Sequence, residues 1–159
     1  MKYIILVIVI TSCQKTNSYY TDPNNSRIER ITYSTENYNL GVSAIGHDNY
    51  LEILVSTELL KKEIILKNIN LITIEPSDQP TKKELYFSDG KTVYFEDFSK
   101  LKDIDEFNNL NKKVIRFYFE DLNSKSRDNL NFDIIIESNV GVFKNHVVMK
   151  RHSRSRIPL

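Results

Sequence analysis

Few side chains in this sequence are of a type and spacing that could do chemistry. The chain has one cysteine, Cys13, and three histidines, His47, His146 and His152. A single thiol cannot form a disulfide within the chain, and alone it does not make a metal site. His146 and His152 share one face of a predicted strand, but at about 3.3 Å per residue they lie roughly 20 Å apart. They cannot bind one metal ion together, so no metal centre and no cofactor is predicted.

The acidic residues also lack a catalytic or metal-binding pattern. His47-Asp48 could orient an imidazole as a general base, but Gly46-His47-Asp48-Asn49 consists of turn-forming residues between two predicted strands. Glycoside hydrolysis needs two carboxylates that face each other across a cleft, which the sequence does not define. A further acidic group lacks the spacing of a calcium loop and fits a solvated helix face: Asp97, Asp103, Asp105 and Glu106.

The N-terminus has the layout of an export signal. Lys2 precedes an apolar run of eight residues, Tyr3–Ile10, whereas roughly 20 are needed to span a bilayer. The run ends at Ile10-Thr11-Ser12-Cys13, which resembles the lipobox of bacterial lipoprotein signal peptides. The resemblance covers about the first fourteen residues and implies cleavage before Cys13 and attachment of lipids, such as palmitate, to its sulfur. Gln14 is not the aspartate that marks inner-membrane retention, so an outer-membrane anchor is expected.

Cleavage before Cys13 would leave 147 residues with equal numbers of basic and acidic side chains. That length fits one domain with a hydrophobic core of its own. Residues 13–27 are polar, with a turn-like centre at Asp22-Pro23-Asn24-Asn25. Such a composition predicts a flexible, lipidated tether, and residues 28–159 are expected to form a single β-rich domain.

Short runs with alternating apolar residues predict that this domain is mainly β. Leu51, Ile53 and Val55 share one face of a strand, and the clearest longer alternations are Ile115/Phe117/Phe119 and Leu130/Phe132/Ile134/Ile136. One segment near 98–110 repeats apolar residues every three positions, which indicates a short helix or an irregular crossover. Seven to nine strands predict an antiparallel, immunoglobulin-like two-sheet sandwich, with a lipocalin-like barrel as the alternative.

A hairpin over Glu84–Glu96 carries the sharpest local prediction. A two-residue Asp89-Gly90 turn would scatter its apolar side chains over both faces. A three-residue loop, Ser88-Asp89-Gly90, instead pairs Leu85 with Val93 and collects the apolar residues on one face. Gly90 supplies the positive φ that this loop needs, and a slip of one residue would turn the core side chains into solvent.

The C-terminus is basic, because Glu137 is the last acidic residue of the chain. A last strand, His146–His152, is expected to point Val147 and Met149 inward. If it continues, it forms a stripe that could bind anions, in particular anionic lipid headgroups or an acidic partner. The simpler interpretation is protection of an edge strand or a frayed tail. The candidate residues are Lys150, Arg151, His152, Arg154 and Arg156.

These observations predict a lipid-anchored envelope protein with a non-catalytic binding or structural module. The sequence holds no phosphate-binding glycine loop, no nucleophile elbow and no His-Glu-x-x-His pattern. The expected partners are the membrane, through lipid on Cys13, and an envelope protein or anionic lipid; nucleic acid is not expected. The alternative is a small envelope inhibitor or immunity-type protein that blocks a lytic enzyme, and a hydrolase with a carboxylate pair is the least favoured.

Overall fold

A computed structural model describes residues 18–75, 79–86, 92–95, 112–120 and 127–153. These residues form ten strands, and every pairing between them is antiparallel. The strands are β1 (Ser18–Thr21), β2 (Ile31–Ser34), β3 (Tyr38–Gly46), β4 (Tyr50–Leu59), β5 (Leu66–Glu75), β6 (Lys82–Tyr86), β7 (Thr92–Tyr94), β8 (Lys112–Glu120), β9 (Asn129–Ser138) and β10 (Gly141–Ser153).

The alternating apolar residues of the long strands form the core. On β8, Ile115, Phe117 and Phe119 are fully buried, and β10 buries Val147 and Met149. The inward positions of β4 and β9 are filled in the same way, as the alternation of apolar residues predicts. Each such side chain contributes about 1.5–3 kcal/mol through removal from water, so this periodicity fixes which face of each strand points inward.

The strands follow one another in the order β5-β9-β10-β1-β3-β4-β8-β6-β7, and β2 pairs with β3. Phe132 on β9 and Phe117 on β8 belong to one continuous buried cluster, although their strands lie in opposite halves of this order. A flat sheet could not bring them together, so the sheet folds over at β1 and its two halves form two layers. Asn145 on β10 donates a hydrogen bond of 3.1 Å to Tyr38 Oη on β3, which joins the layers further along β10.

The predicted mainly β, antiparallel two-sheet sandwich is therefore confirmed. It is immunoglobulin-like in the broad sense that two antiparallel layers enclose one core. The lipocalin-like alternative is not adopted, because the terminal strands of the described order, β5 and β7, do not pair and the sheet is not closed. The helix or crossover predicted near 98–110 lies outside the described residues.

The flexible tether predicted for residues 13–27 is wrong in its second part. Ser18–Thr21 forms β1, which lies between β3 and β10 in the middle of the strand order. Tyr20 is fully buried in the core, and its hydroxyl donates a hydrogen bond of 3.3 Å to the carbonyl oxygen of Arg127. A strand of four residues with one large buried ring is enough to hold this segment, so the folded domain includes residues from Ser18 onward.

Local register predictions hold where the structure describes them. Leu85 of β6 pairs with Val93 of β7, which confirms the register of the three-residue loop; the loop itself lies outside the described residues. Strand β5 bulges against β9, with a register shift between Leu66 and Asn68. In the described part of the chain, no helix is long and apolar enough to cross a membrane.

Candidate functional site

A cleft with a volume of about 370 Å³ opens on the outer face of the layer formed by β4, β8, β6 and β7. Its size lies within the range of small-molecule sites. Three of its lining residues are tyrosines and three are charged, and none belongs to the hydrophobic core. The lining consists of Asn49, Tyr50, Lys82, Glu84, Tyr94, Tyr118 and Glu120.

Strand register brings these residues together from distant parts of the sequence. Since Ile115, Phe117 and Phe119 point inward, the residues between them on β8 point outward. Tyr118 then lies opposite Lys82 of β6 on one side and Glu52 of β4 on the other. One step further along the sheet, Arg116 lies opposite Glu84. Side chains in such cross-strand and diagonal positions are close enough to interact.

Glu84 is the centre of the arrangement, with a side chain that is only 4% exposed. The Tyr118 hydroxyl donates a hydrogen bond of 2.8 Å to Glu84 Oε2, and Arg116 Nη1 lies 3.5 Å from the same oxygen. Lys82 Nζ lies 3.6 Å from Oε1. Burial alone would raise the pKa of this carboxyl group. Hydrogen bonds with Tyr94 and Tyr118 and the charges of Lys82 and Arg116 outweigh burial and hold the pKa below its usual value.

Arg116 fixes the surrounding groups. Its Nη1 donates a hydrogen bond of 2.9 Å to the Tyr118 hydroxyl, and its Nε forms an ion pair of 3.0 Å with Glu52 Oε1. The guanidinium also lies 5.1 Å from the centre of the Tyr86 ring, within cation–π range. A single cation therefore holds two carboxylates and one phenol in place, and the floor of the cleft is organised before any ligand arrives.

The walls of the cleft are aromatic. Lys82 Nζ lies 4.0 Å from the centroid of the Tyr94 ring, and Tyr94 is 58% exposed. A hydrogen bond with Tyr94 is the largest cause of the raised pKa of Lys82. On the opposite side, Tyr50 stacks on His47 with 4.1 Å between ring centres. These rings offer flat apolar surfaces with polar groups at their edges.

Chemically, this arrangement is suited to binding. Because the pKa of Glu84 is lowered, the carboxylate stays ionised at neutral pH and has no proton to donate. It already accepts a hydrogen bond and faces two cations, so it serves as a fixed charge. No group of three or more His, Cys, Asp or Glu residues in the described ranges could hold a metal ion.

The residues singled out from the sequence lie elsewhere. Lys150, Arg151 and His152 are on the last part of β10, and Arg151 Nη2 forms an ion pair of 3.0 Å with Asp128 Oδ1. Lys150 is exposed. Cys13, Arg154 and Arg156 lie outside the described residues, as do Asp97, Asp103, Asp105 and Glu106. His47 is in the β3–β4 turn, as predicted, where its backbone N–H donates to the Tyr50 carbonyl at 2.8 Å.

Sequence reasoning did not identify Glu84, Arg116 or Tyr118 as a site. The available signal was the outward series Arg116, Tyr118 and Glu120 between buried aromatic residues. An arginine, a phenol and a carboxylate in consecutive outward positions are typical of a surface strand as well as of a site. The distinction needs the neighbouring strands, because Glu52 and Glu84 arrive from β4 and β6.

A second buried carboxylate lies on the outer face of the other layer. Asp133 on β9 is paired with Lys144 at 2.8 Å and with His146 Nδ1 at 2.9 Å, both on β10. The side chain of Asp133 is 8% exposed, whereas those of Lys144 and His146 are 64% and 53% exposed. Hydrogen bonds with Lys144 and then His146 are the main causes of the lowered pKa of Asp133.

Comparison with known proteins gives no family. No protein-family description and no curated protein matches the sequence. Among solved structures, the chain is similar to the crystal structure of the yeast GGA1 GAE domain–P21. That match covers 77% of this chain and 96% of the other, with 8% sequence identity and a TM-score of 0.32. A similarity of this degree carries no information about function.

Proposed function

We propose that this protein is a lipid-anchored envelope protein whose β-sandwich is a non-catalytic binding module, with the tyrosine-lined cleft as its binding site. The observation that carries the proposal is the organised floor of the cleft. The Glu84 carboxyl group, whose pKa is lowered, is held by Tyr118, Arg116 and Lys82 beneath aromatic walls of which Tyr94 is exposed. Preorganised polar groups beneath flat rings favour binding, because little side-chain freedom is lost when a ligand arrives.

The lining supports a small polar ligand that contains a ring, and a saccharide unit fits this description. Tyrosine rings can cover the apolar face of a sugar, while amide, ammonium and carboxylate groups bond to its hydroxyls. Asn49, Lys82 and Glu120, which line the cleft, supply these three groups. The volume of the cleft limits the bound part to a short fragment.

Titration of the protein with an array of monosaccharides and short oligosaccharides, followed by NMR chemical-shift changes, tests this proposal. We expect shifts for residues of the cleft and a saturable response. Tyr94→Ala should abolish binding, whereas Tyr94→Phe should retain most of it because the stacking face remains. Tyr33→Ala, on β2 at the end of the sheet away from the cleft, is the control. A response that is unchanged in Tyr94→Ala, or the absence of any response, would exclude the cleft as a saccharide site.

The anchor is tested separately by the intact mass of membrane-extracted protein beside Cys13→Ala. We expect a mature chain that begins at Cys13 and carries acyl mass, which the variant lacks. An unmodified native chain would overturn the lipid anchor and the outer-membrane location. The alternative of an envelope inhibitor stays a prediction, and protection against a panel of lytic enzymes is its test.

A further inference from the structure

The position of β1 sets how far the domain can lie from its anchor. If lipid is attached to Cys13, only Gln14–Asn17 separates it from Ser18, the first residue of β1. Five Cα–Cα steps at about 3.6 Å reach at most roughly 18 Å. A tether that continued to residue 27 would have reached about 50 Å by the same measure. The first strand is therefore held close to the membrane surface.

The register of β1 brings the basic end of the chain to the same place. Ser18 pairs with Ser153, Tyr19 with His152, and Thr21 with Lys150. The end of β10 thus lies beside the start of β1, although the two are at opposite ends of the sequence. We name this region, the paired residues Ser18–Thr21 and Lys150–Ser153, the β1–β10 corner.

The β1–β10 corner carries a net positive charge. The described charged residues on its strands or beside them are three basic ones, Lys150, Arg151 and Arg127, and two acidic ones: Asp128, which is paired with Arg151, and Asp22, which follows Thr21. Lys150 is exposed, and the sequence adds Arg154 and Arg156 directly after the corner, with no acidic residue following Glu137. An anionic surface is complementary to this distribution.

We infer that the β1–β10 corner binds the anionic headgroups of the membrane that carries the anchor, and so fixes the orientation of the domain. This inference depends on the lipid at Cys13 in the proposed function. Each basic residue near an anionic surface strengthens binding by roughly fivefold, and a polybasic patch beside an acyl chain is a known combination of two membrane signals. The charges act at high local concentration because the tether is short.

This orientation has a direct effect on the cleft. Ser18 also pairs with Gly46, the last residue of β3, and the turn after Gly46 leads to Asn49 and Tyr50 of the cleft. The cleft therefore opens at the membrane end of the sandwich. The β9–β10 turn at Asn139 and Val140 lies at the other end of β10, about 40 Å away along a strand of this length.

Fluorescence quenching on vesicles tests the orientation. Cys13 is the only cysteine and is consumed by lipid, so an introduced cysteine can be labelled alone. Lipidated protein is reconstituted with Asn129→Cys, which pairs with Lys150, or with Val140→Cys in the distant turn. A nitroxide on the lipid headgroup should quench the first label several-fold more than the second on vesicles containing phosphatidylglycerol. On pure phosphatidylcholine the difference should shrink.

Matched charge variants identify the cause. The triple variant Lys150→Ser, Arg154→Ser, Arg156→Ser should reduce the preference for the corner-down orientation by roughly tenfold or more. Lys61→Ser, Lys62→Ser, Lys112→Ser removes the same charge at the opposite end and should leave the quenching difference unchanged. Thermal unfolding checks that both variants fold. Equal quenching of the two labels, or equal effects of the two triple variants, overturns the inference.

The intact mass and the quenching result together distinguish a failure of this inference from a failure of the proposed lipid anchor. The intact mass of the same preparation reports whether Cys13 carries lipid. Lipidated protein without a preferred orientation overturns the inference and leaves the anchor and the cleft in place. A preparation without lipid overturns the anchor, and the inference with it.

Discussion

Both outer faces of the sandwich carry a buried carboxylate that is paired with basic side chains, but the surroundings of the two carboxylates differ. Each buries a carboxylate opposite a basic residue of the neighbouring strand: Glu84 opposite Arg116 on β6 and β8, and Asp133 opposite His146 on β9 and β10. The exposed fractions of the two carboxylate side chains are similarly small. Their surroundings differ. Tyrosines enclose Glu84, whereas Asp133 is covered by two exposed basic side chains among aliphatic neighbours such as Ile72.

This difference shows that a buried charge pair alone does not make a cleft. On the β9–β10 face, Lys144 Nζ lies 2.8 Å from Asp133 Oδ2, and His146 Nδ1 lies 2.9 Å from the other carboxylate oxygen. On the β6–β8 face, rings stand beside Glu84 and leave a recess between them. The shape of the neighbouring side chains, more than the charge pair, decides whether a ligand can approach.

The largest effect on the free energy of unfolding is expected when the negative charge of Glu84 or of Asp133 is removed. Glu84→Gln should lower the free energy of unfolding by about 2 kcal/mol, because Arg116 and Lys82 then face a neutral amide in a partly buried setting. Asp133→Asn should cost about 1 kcal/mol or less, because Lys144 and His146 can be hydrated by water. Urea unfolding measures both. Equal losses would show that the two pairs do not differ in burial as the structure indicates.

Acid should reduce the stability contributed by both Glu84 and Asp133, whereas salt should affect the two contributions differently. The pKa values of Glu84 and Asp133 are both lowered in the folded chain. At a pH between the pKa of the folded state and that of the unfolded state, each carboxyl group binds fewer protons when the chain is folded. Its contribution to stability is therefore complete above the unfolded-state pKa, near pH 4. This contribution is lost as the pH falls through the folded-state pKa. The free energy of unfolding should therefore depend less on pH in the acid range in Glu84→Gln and in Asp133→Asn than in the native chain.

Added salt should reduce the contribution of Asp133 more than that of Glu84, because the partners of Asp133 are exposed to solvent ions. The comparison is made between each amide variant and the native chain at low and high ionic strength. An identical salt response in the two variants would contradict the contrast between an open charge pair and an enclosed one.

A smaller effect is expected at the rim of the cleft. Tyr94→Phe removes the hydroxyl whose hydrogen bond is the largest cause of the raised pKa of Lys82, while the ring remains. The pKa of Lys82 should fall toward its ordinary value. NMR of the side-chain nitrogen during a pH titration measures this shift. An unchanged pKa in Tyr94→Phe would mean that Glu84 alone sets it.

The smallest effect is expected on the aliphatic face. Ile74 is exposed on β5, which ends the described strand order. Ile74→Lys should change the free energy of unfolding by less than about 0.5 kcal/mol. It should also raise the concentration at which the protein begins to associate, because charges on an edge strand oppose pairing between molecules. Light scattering measures the onset, and a large loss of stability would show that this face is covered within the fold.

The sequence was most informative where its signals are local. Alternation located the buried faces of β8 and β9, and the need to keep Leu85 and Val93 on one side selected the hairpin register. β1 was missed because it is short, follows polar residues, and is held by strands far away in the sequence. Its only local sign is the pair Tyr19-Tyr20, of which the second is buried.

The candidate site was missed for a related reason. Glu52, Glu84 and Arg116 become neighbours only through the register of β4 with β8 and of β8 with β6. Each looks like an ordinary surface charge on its own strand. The sequence does not encode register between distant strands in a form that can be read from one chain, so neither the burial of Glu84 nor the cleft above it could be predicted.

The pairing of Ser18 with Ser153 also sets when the fold can be completed. A chain leaves the ribosome with its N-terminus first, so β1 can pair early with β3, whereas its other edge stays unpaired until β10 has been synthesised. Contacts between such distant residues form late and slow folding. In a partial product that lacks β10, the two layers cannot be joined through β1, so the hydrophobic core stays open until β10 has been made.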